Sequence, residues 1–438
     1  MPHLTPQLPV HAHHFTVAPS GFKESLSAQG AAEAIAEGLR RVEPGATIDL
    51  VPLVDGGEGT AETLAAATGG RLLRRTATGP VGAPVDTHFA LLGGGASAAG
   101  RTAVVEMAAV AGLSLVPREL RDPGATTTYG VGELLRSALD SGARRILVGC
   151  GDSGTSDGGA GALEALGARL LDASGARLPP GGAALARLDR IDTAGLDPRL
   201  REAGLLVACN PFNVLCGPRG VARVFGPQKG ATAAQTERLS YGLERWARVL
   251  ERDLRGWPRA VTDLRYGPGT GASGGLGAGL AALGARLLPR FEVLLDGLGL
   301  DGLGLDARLA RADLVITAEG SLDGQTPRGK VPAEVARRAK RYGRPVLALA
   351  GTLGEGAHEA RAAGIDAYRS ILPAPVGLAE ALDRGAEYLA DAAEHALRMV
   401  LLGTRLRPAG AQAAQPSEPE EPEPAPVLSG TQRPSSVR

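Results

Sequence analysis

The 438-residue sequence predicts an α/β protein: a parallel-sheet domain built from both chain ends, with a second α/β domain inserted between them. Three observations predict it. Short β-branched runs alternate with Ala/Leu-rich helical stretches near the N-terminus, and the same rhythm returns near the C-terminus. The middle begins differently, with consecutive strand-like runs and then several Gly-rich loops. The length also exceeds what one hydrophobic core usually organises.

In chain order, HFTVAPS reads as a strand, followed by a helix from Ser25 to Arg41, the strand TIDLVPLVDGG and a helix from about Glu58. GGRLLRRTAT, PVDTHFALL and RTAVVEMA then read as strands, followed by GARRILVGCG and GLLVACN. Beyond them come the strand ADLVITAEG, a helix from Pro332 to Tyr342, PVLALAG, a helix after Gly354, IDAYRSILP and a last long helix. The expected domains are 15–66 together with 296–403, and 67–295 as the insertion. Residues 1–14 and the Pro/Glu-rich 404–438 read as disordered tails, and the HAHH histidines are given no role.

Lys plus Arg and Asp plus Glu each total 47, so no long-range positive field draws in nucleic acid or an anionic membrane. Aromatic residues make up 3% of the chain, too few for the stacking platforms that single-stranded nucleic acid requires. The three cysteines form no C-x-x-C pair, which predicts a reducing, cytoplasmic setting. No apolar stretch reaches the roughly 18 residues of a membrane span, so no membrane is expected as a partner.

Ligands of parallel α/β sheets bind beyond the carboxyl ends of the strands, which directs attention to the loops there. The first holds Ser20, Lys23 and Ser25 at a helix start, where an anion is well received, although Ser25 could simply cap the helix. The second, Asp55-Gly56-Gly57-Glu58-Gly59-Thr60, sets two carboxylates around glycines that admit a close approach. In the insertion, Asp152, Ser153, Thr155 and Asp157 stand in a Gly-rich loop suited to phosphate, magnesium or a general base. Asn210 and Asn213 end another strand, and Lys229 stands in a rigid FGPQKGAT loop as a point charge for phosphate. Gly274 and Gly275 lie in the glycine cluster GTGASGGLG. Glu319 and Asp323 follow the strand DLVI, and Lys330 closes a G-x-x-x-x-G-K match whose next residue is Val331. Without the Ser or Thr that ligates magnesium this is no Walker loop, and Lys330 is kept only as a phosphate-binding candidate.

The order of these loops resembles the type I glycerate kinase family of bacteria, through FKESLSA, DGGEGT, VEMAAVAGLSLVP, the Asp157-Gly-Gly loop, VFGPQKGAT, GASGGLGAG and ITAEGSLDGQT with GK. The resemblance implies a Rossmann-like domain from both chain ends and an inserted α/β domain, with the active site in the cleft between them. It implies phosphorylation of glycerate by ATP with magnesium, with 2-phosphoglycerate as the favoured product. In that scheme Lys229, Lys330 and the glycine-rich amides hold phosphates or the substrate carboxylate. Asp157, Asp55 and Glu58 bind magnesium or take the proton, Asp152 adds a metal ligand, and Lys23 clamps either anion. Ser20, Asp152 and Asn210 depart from the family's usual residues, which bears on magnesium placement and substrate choice. A kinase of another small hydroxy or sugar acid, and a non-catalytic nucleotide- or acid-binding regulator, stand beside this reading as alternatives.

Overall fold

The computed structural model describes residues 12–22, 24–93, 101–257, 263–297 and 304–403. Lys23, the C-terminal tail and most of the N-terminal tail lie outside these residues. The chain starts with β1 (His14–Val17), α1 (Ala28–Val42), β2 (Thr47–Leu50) and α2 (Thr60–Thr68). The middle contributes β3 (Arg71–Thr78), β4 (Pro84–Leu91), β5 (Thr102–Glu106), β6 (Arg145–Gly149), β7 (Arg169–Leu171), β8 (Arg190–Asp192), β9 (Gly204–Cys209) and β10 (Arg286–Pro289). The last part holds β11 (Leu314–Leu322), the helix Val331–Arg341, β12 (Val346–Leu353), β13 (Ala367–Ser370) and the helix Gly385–Gly403.

Two expected helix starts move, for local reasons. Helix α1 begins at Ala28 rather than Ser25, because Ser27 is its cap and accepts from the Gly30 amide at 3.1 Å. Helix α2 begins at Thr60 rather than Glu58, because Gly59 takes a left-handed φ of 86°.

The five-stranded sheet has the order β13-β12-β11-β1-β2 and is parallel throughout. Phe15 stands beside Leu314 in it, so the two chain ends share one sheet, as the returning rhythm predicts. The six-stranded sheet runs β10-β9-β6-β5-β4-β3; β5, β6, β9 and β10 are parallel, and β4 lies antiparallel between β3 and β5. The β7–β8 hairpin stands apart from both sheets. Apolar residues of the helix Val331–Arg341 pack with those of β11 and β12, while Ala61 and Leu64 of α2 pack with Val104 and Leu147 of the other sheet.

Taken alone, the first sheet has the doubly wound order 2-1-3-4-5, with a switch point between β1 and β11. Chain connections leave β1 toward one face and β11 toward the other, which opens a crevice at their carboxyl ends. Among the described residues no helix is long and apolar enough to cross a membrane.

Candidate active site

Strand β11 outlasts its neighbour: its last pairing with β1 is Ile316 beside Val17, yet it continues to Leu322. Glu319 and the residues after it therefore project past the end of β1 at the switch point. From the start of the helix Val331–Arg341, Lys330 folds back over them. Its Nζ donates to the Ser321 carbonyl at 2.9 Å and to Asp323 Oδ2 at 3.1 Å, and lies 3.9 Å from Glu319 Oε1. The other Glu319 oxygen, Oε2, is buried with no hydrogen-bond partner. Burial pushes the Glu319 carboxyl up to about 7, with Asp55 adding to the rise and Lys330 and Arg290 opposing it. Asp323 goes the other way. Burial raises it, but the hydrogen bonds from Lys330 and the Gln325 amide outweigh burial and hold it below the usual carboxylate range.

The second sheet meets this crevice with its own carboxyl ends. Asp55 accepts from the Gly57 amide at 3.1 Å and from Arg290 at 2.8 Å, and Arg290 follows β10. The same guanidinium donates to the Gly329 carbonyl. Asn210, after β9, donates through Nδ2 to the Arg328 carbonyl at 3.0 Å and accepts from the Phe212 amide at 3.0 Å. Asp152, after β6, takes a left-handed φ of 50°. A Cβ added to Gly57 would lie 2.7 Å from Asp152 Oδ2 and 3.1 Å from Asp55 Oδ1, so both carboxylates converge on the space that glycine leaves. The loops themselves touch through backbone: a Cβ on Gly149 would come within 2.6 Å of the Gly56 carbonyl oxygen.

A different group of expected residues is sealed behind this surface. Asp157 is fully buried and accepts from the Thr128 amide at 2.8 Å, the Thr128 hydroxyl at 2.9 Å, and the Gly159 and Gly161 amides at 3.1 Å each. Burial drives its pKa up, and those hydrogen bonds pull against it. Lys229, 3% exposed, donates to the Ser153 hydroxyl at 2.8 Å and the Thr155 carbonyl at 2.6 Å. Burial lowers its ammonium to about 7, with the Asp157 charge opposing. Gly274 and Gly275 have φ of 69° and 95°, and the Gly274 carbonyl accepts from the Gly158 amide at 3.0 Å. Thr155 is likewise fully buried. Its hydroxyl has no partner, while Lys229, Asp157 and the surrounding amides fix the loop that carries Asp152.

The remaining expected residues are dispersed. Ser20 donates to the Ala318 carbonyl at 3.2 Å and so stitches β1 to β11 at the crevice. Ser25 turns away to the Leu382 carbonyl at 2.7 Å. Glu58 is exposed, and the Asn213 carbonyl accepts from the Gly271 amide at 3.1 Å. Two structural participants were not singled out from the sequence. Arg290 follows a four-residue strand too short to read from its pattern. Glu106, 1% exposed, accepts from the Gly59 amide at 3.3 Å and from the Ala61 amide, and so anchors the start of α2 beneath the Asp55 loop. Burial pushes Glu106 up to about 8 against those amides. Its signal was present in the VEMA run. With Glu62 and His88, Glu106 forms the group of potential metal-ligating side chains found among the described residues, their ligand atoms within 4.8 Å of one another.

Comparison with known proteins shows the family. Residues 15–401 match the model of the glycerate kinase family. A glycerate kinase of Bacillus subtilis (strain 168) is 46% identical over 374 residues, covering 85% of this chain and 94% of that protein. A glycerate 2-kinase of Escherichia coli (strain K12) is 43% identical over 390 residues, covering 89% and 98%. The crystal structure of a Salmonella typhimurium LT2 protein assigned as glycerate kinase 2 superposes with a TM-score of 0.70 at 43% identity, covering 90% of this chain and all of the other. The loops around Asp55, Glu319 and Lys330 lie within the matched residues, and the chain belongs to the glycerate kinase family.

Proposed function

We propose that this enzyme transfers the γ-phosphoryl group of ATP to the 2-hydroxyl of glycerate, in the crevice where the carboxyl ends of the two sheets meet. The observation that carries the reading is the convergence of Glu319, Asp323, Lys330 and Asp55 at the switch point, with one Glu319 oxygen buried and unpartnered. The named activities of the relatives support glycerate as the acceptor, and the Escherichia coli glycerate 2-kinase supports the 2-position.

In this reading Glu319 Oε2 takes the proton of the attacking hydroxyl. The freed oxygen bonds to the γ-phosphorus, and the bond to the bridging oxygen breaks with its electron pair leaving on ADP. Lys330 offsets the negative charge gathered there. A magnesium ion, when bound, supplies charge neutralisation for the phosphates. The carboxylates of Asp55 and Asp152, which both approach Gly57, are hard oxygen donors that would hold it. Asp157 has its oxygens taken up by four donors, so we assign it and Lys229 to holding the loop that presents Asp152. Lys23 keeps its sequence-based assignment as an anion clamp. We take 15–66 with 296–403, and 67–295, as the two domains that form the cleft, and assign the enzyme to the cytoplasm in keeping with three buried, unpaired cysteines.

Phosphorus NMR of the product from purified protein, ATP, magnesium and D-glycerate tests the reading. A 2-phosphoglycerate resonance is expected. A 3-phosphoglycerate product would overturn the regiochemistry, and faster turnover of another acid in a substrate panel would overturn the acceptor.

A further inference from the structure

The carbonyls of two consecutive residues, Arg328 and Gly329, are both held by side chains that come from the opposite sheet. Asn210 reaches the first from the end of β9, and Arg290 reaches the second from the end of β10. Arg290 also binds Asp55 twice, through the carboxylate at 2.8 Å and the backbone carbonyl at 3.3 Å. One guanidinium thus joins three loops: its own, the Asp55 loop and the turn before the helix Val331–Arg341.

The turn it holds is poised to move Lys330. Gly329 has a left-handed φ of 104°, and Lys330 follows it as the extended residue just ahead of the helix. A displacement of the Gly329 peptide is therefore passed directly to the lysine, and through it to the Lys330 contacts with Asp323 and Glu319. Arg290 is well placed to prevent this. Its side chain is 13% exposed, its guanidinium carbon lies 5.1 Å from the centre of the Phe291 ring, and two of its nitrogens are committed to Asp55 and Gly329. The planar fork serves partners in two directions at once, which a lysine ammonium on a flexible stem does not reproduce.

We propose that Arg290 is a positioning residue for phosphoryl transfer: with Asn210 it straps the turn at Arg328–Gly329 to the second sheet, so that Asp55 and Lys330 face the same reacting group. The inference rests on the function proposed above. Neither side chain was assigned this role by sequence reasoning.

The test compares wild type, Arg290→Lys and Arg290→Gln in a coupled ADP-release assay with glycerate, alongside thermal melts of each. Wild-type turnover checks the proposed function separately, so a failure of that reading is seen before any variant is compared. A misplacement of about 1 Å in a catalytic group can cost roughly 100-fold in rate, and a kcat loss of that order is expected in both variants, with KM for glycerate nearly unchanged. In Arg290→Gln the acid limb of the kcat profile should also move to higher pH, because Arg290 no longer opposes the rise of Glu319; in Arg290→Lys it should stay. Lys330, Asp55 and Asp323 face Glu319 in every variant. Near-wild-type kcat in Arg290→Lys would overturn the proposal, as would a rise in KM with kcat unchanged, which marks a substrate contact. A kcat loss matched by the loss of folded protein in the melts would overturn it too. Should Arg290→Gln fail to fold, the milder Arg290→Lys still decides.

Discussion

In the proposed reaction the unpartnered oxygen of Glu319 sets the residue-scale chemistry, because a buried carboxylate without a donor is raised toward the pH at which it would work as a base. Its value of about 7 replaces an ordinary 4.5, so between those two pH values the folded state holds a proton that the unfolded chain has lost. Stability from this group therefore falls as pH rises through that window, while the ionised, proton-accepting fraction grows. Turnover should accordingly climb through about pH 7 in a pH–rate profile, and Glu319→Gln should remove that limb together with roughly 100- to 10,000-fold of kcat. A variant with most of its turnover would exclude Glu319 as the base. Asp157 presents the contrasting case. Asparagine would turn an amide against donors now met by carboxylate oxygen, costing about 1–3 kcal/mol of stability. Calorimetry should show that drop for Asp157→Asn, with kcat per folded molecule falling far less than in Glu319→Gln. The sequence put Asp157 forward for magnesium or proton transfer and Glu319 only for binding, although each follows a strand in a Gly-rich loop. What separates them is whether other chain segments supply donors, and the Thr128 partner lies 29 residues away from Asp157.

At the scale of elements, the loops of the two sheets are set by backbone lying against backbone. Gly149 ends β6 and Gly56 follows Asp55, and no side chain fits between them. Gly149→Ala would push its Cβ against the Gly56 carbonyl, in the loop that carries Asp55. Turnover is expected to fall by about 100-fold through displacement of Asp55, with the sheet's circular dichroism retained. Unchanged kcat in a folded variant would show that the loop does not depend on this contact. The glycines were legible as a sign of close approach, but which backbone approaches was not. The long strands were equally legible, because β3, β4, β6, β9, β11 and β12 carry runs of apolar or β-branched residues. The short β10, β7 and β8 escaped, having three or four residues each and too little pattern to separate them from loop. That omission hid Arg290, whose position is defined only by the strand it follows.

At the scale of the whole molecule, the crevice draws on distant parts of the chain: Asp55 from one end, Glu319 and Lys330 from the other, and Asp152, Asn210 and Arg290 from between. The recurring βα rhythm made the shared sheet of the two ends readable, and the ligand-side loops followed from it, but the cross-sheet ties needed the fold. Those ties have a thermodynamic consequence. Asn210 and Arg290 join loops of both sheets, so the sheets should unfold together rather than in sequence. A ligand bound in the crevice touches both and stabilises both at once. Saturation with ligand at 100 to 1,000 times its Kd is worth about 2.7–4.1 kcal/mol, which appears as an upward shift of a single transition. Scanning calorimetry with a non-hydrolysable ATP analogue, magnesium and glycerate should therefore show one peak, displaced as a whole. Two peaks, with only one moved by ligand, would mean that the sheets are energetically separate and that the Arg290 and Asn210 ties do not couple them.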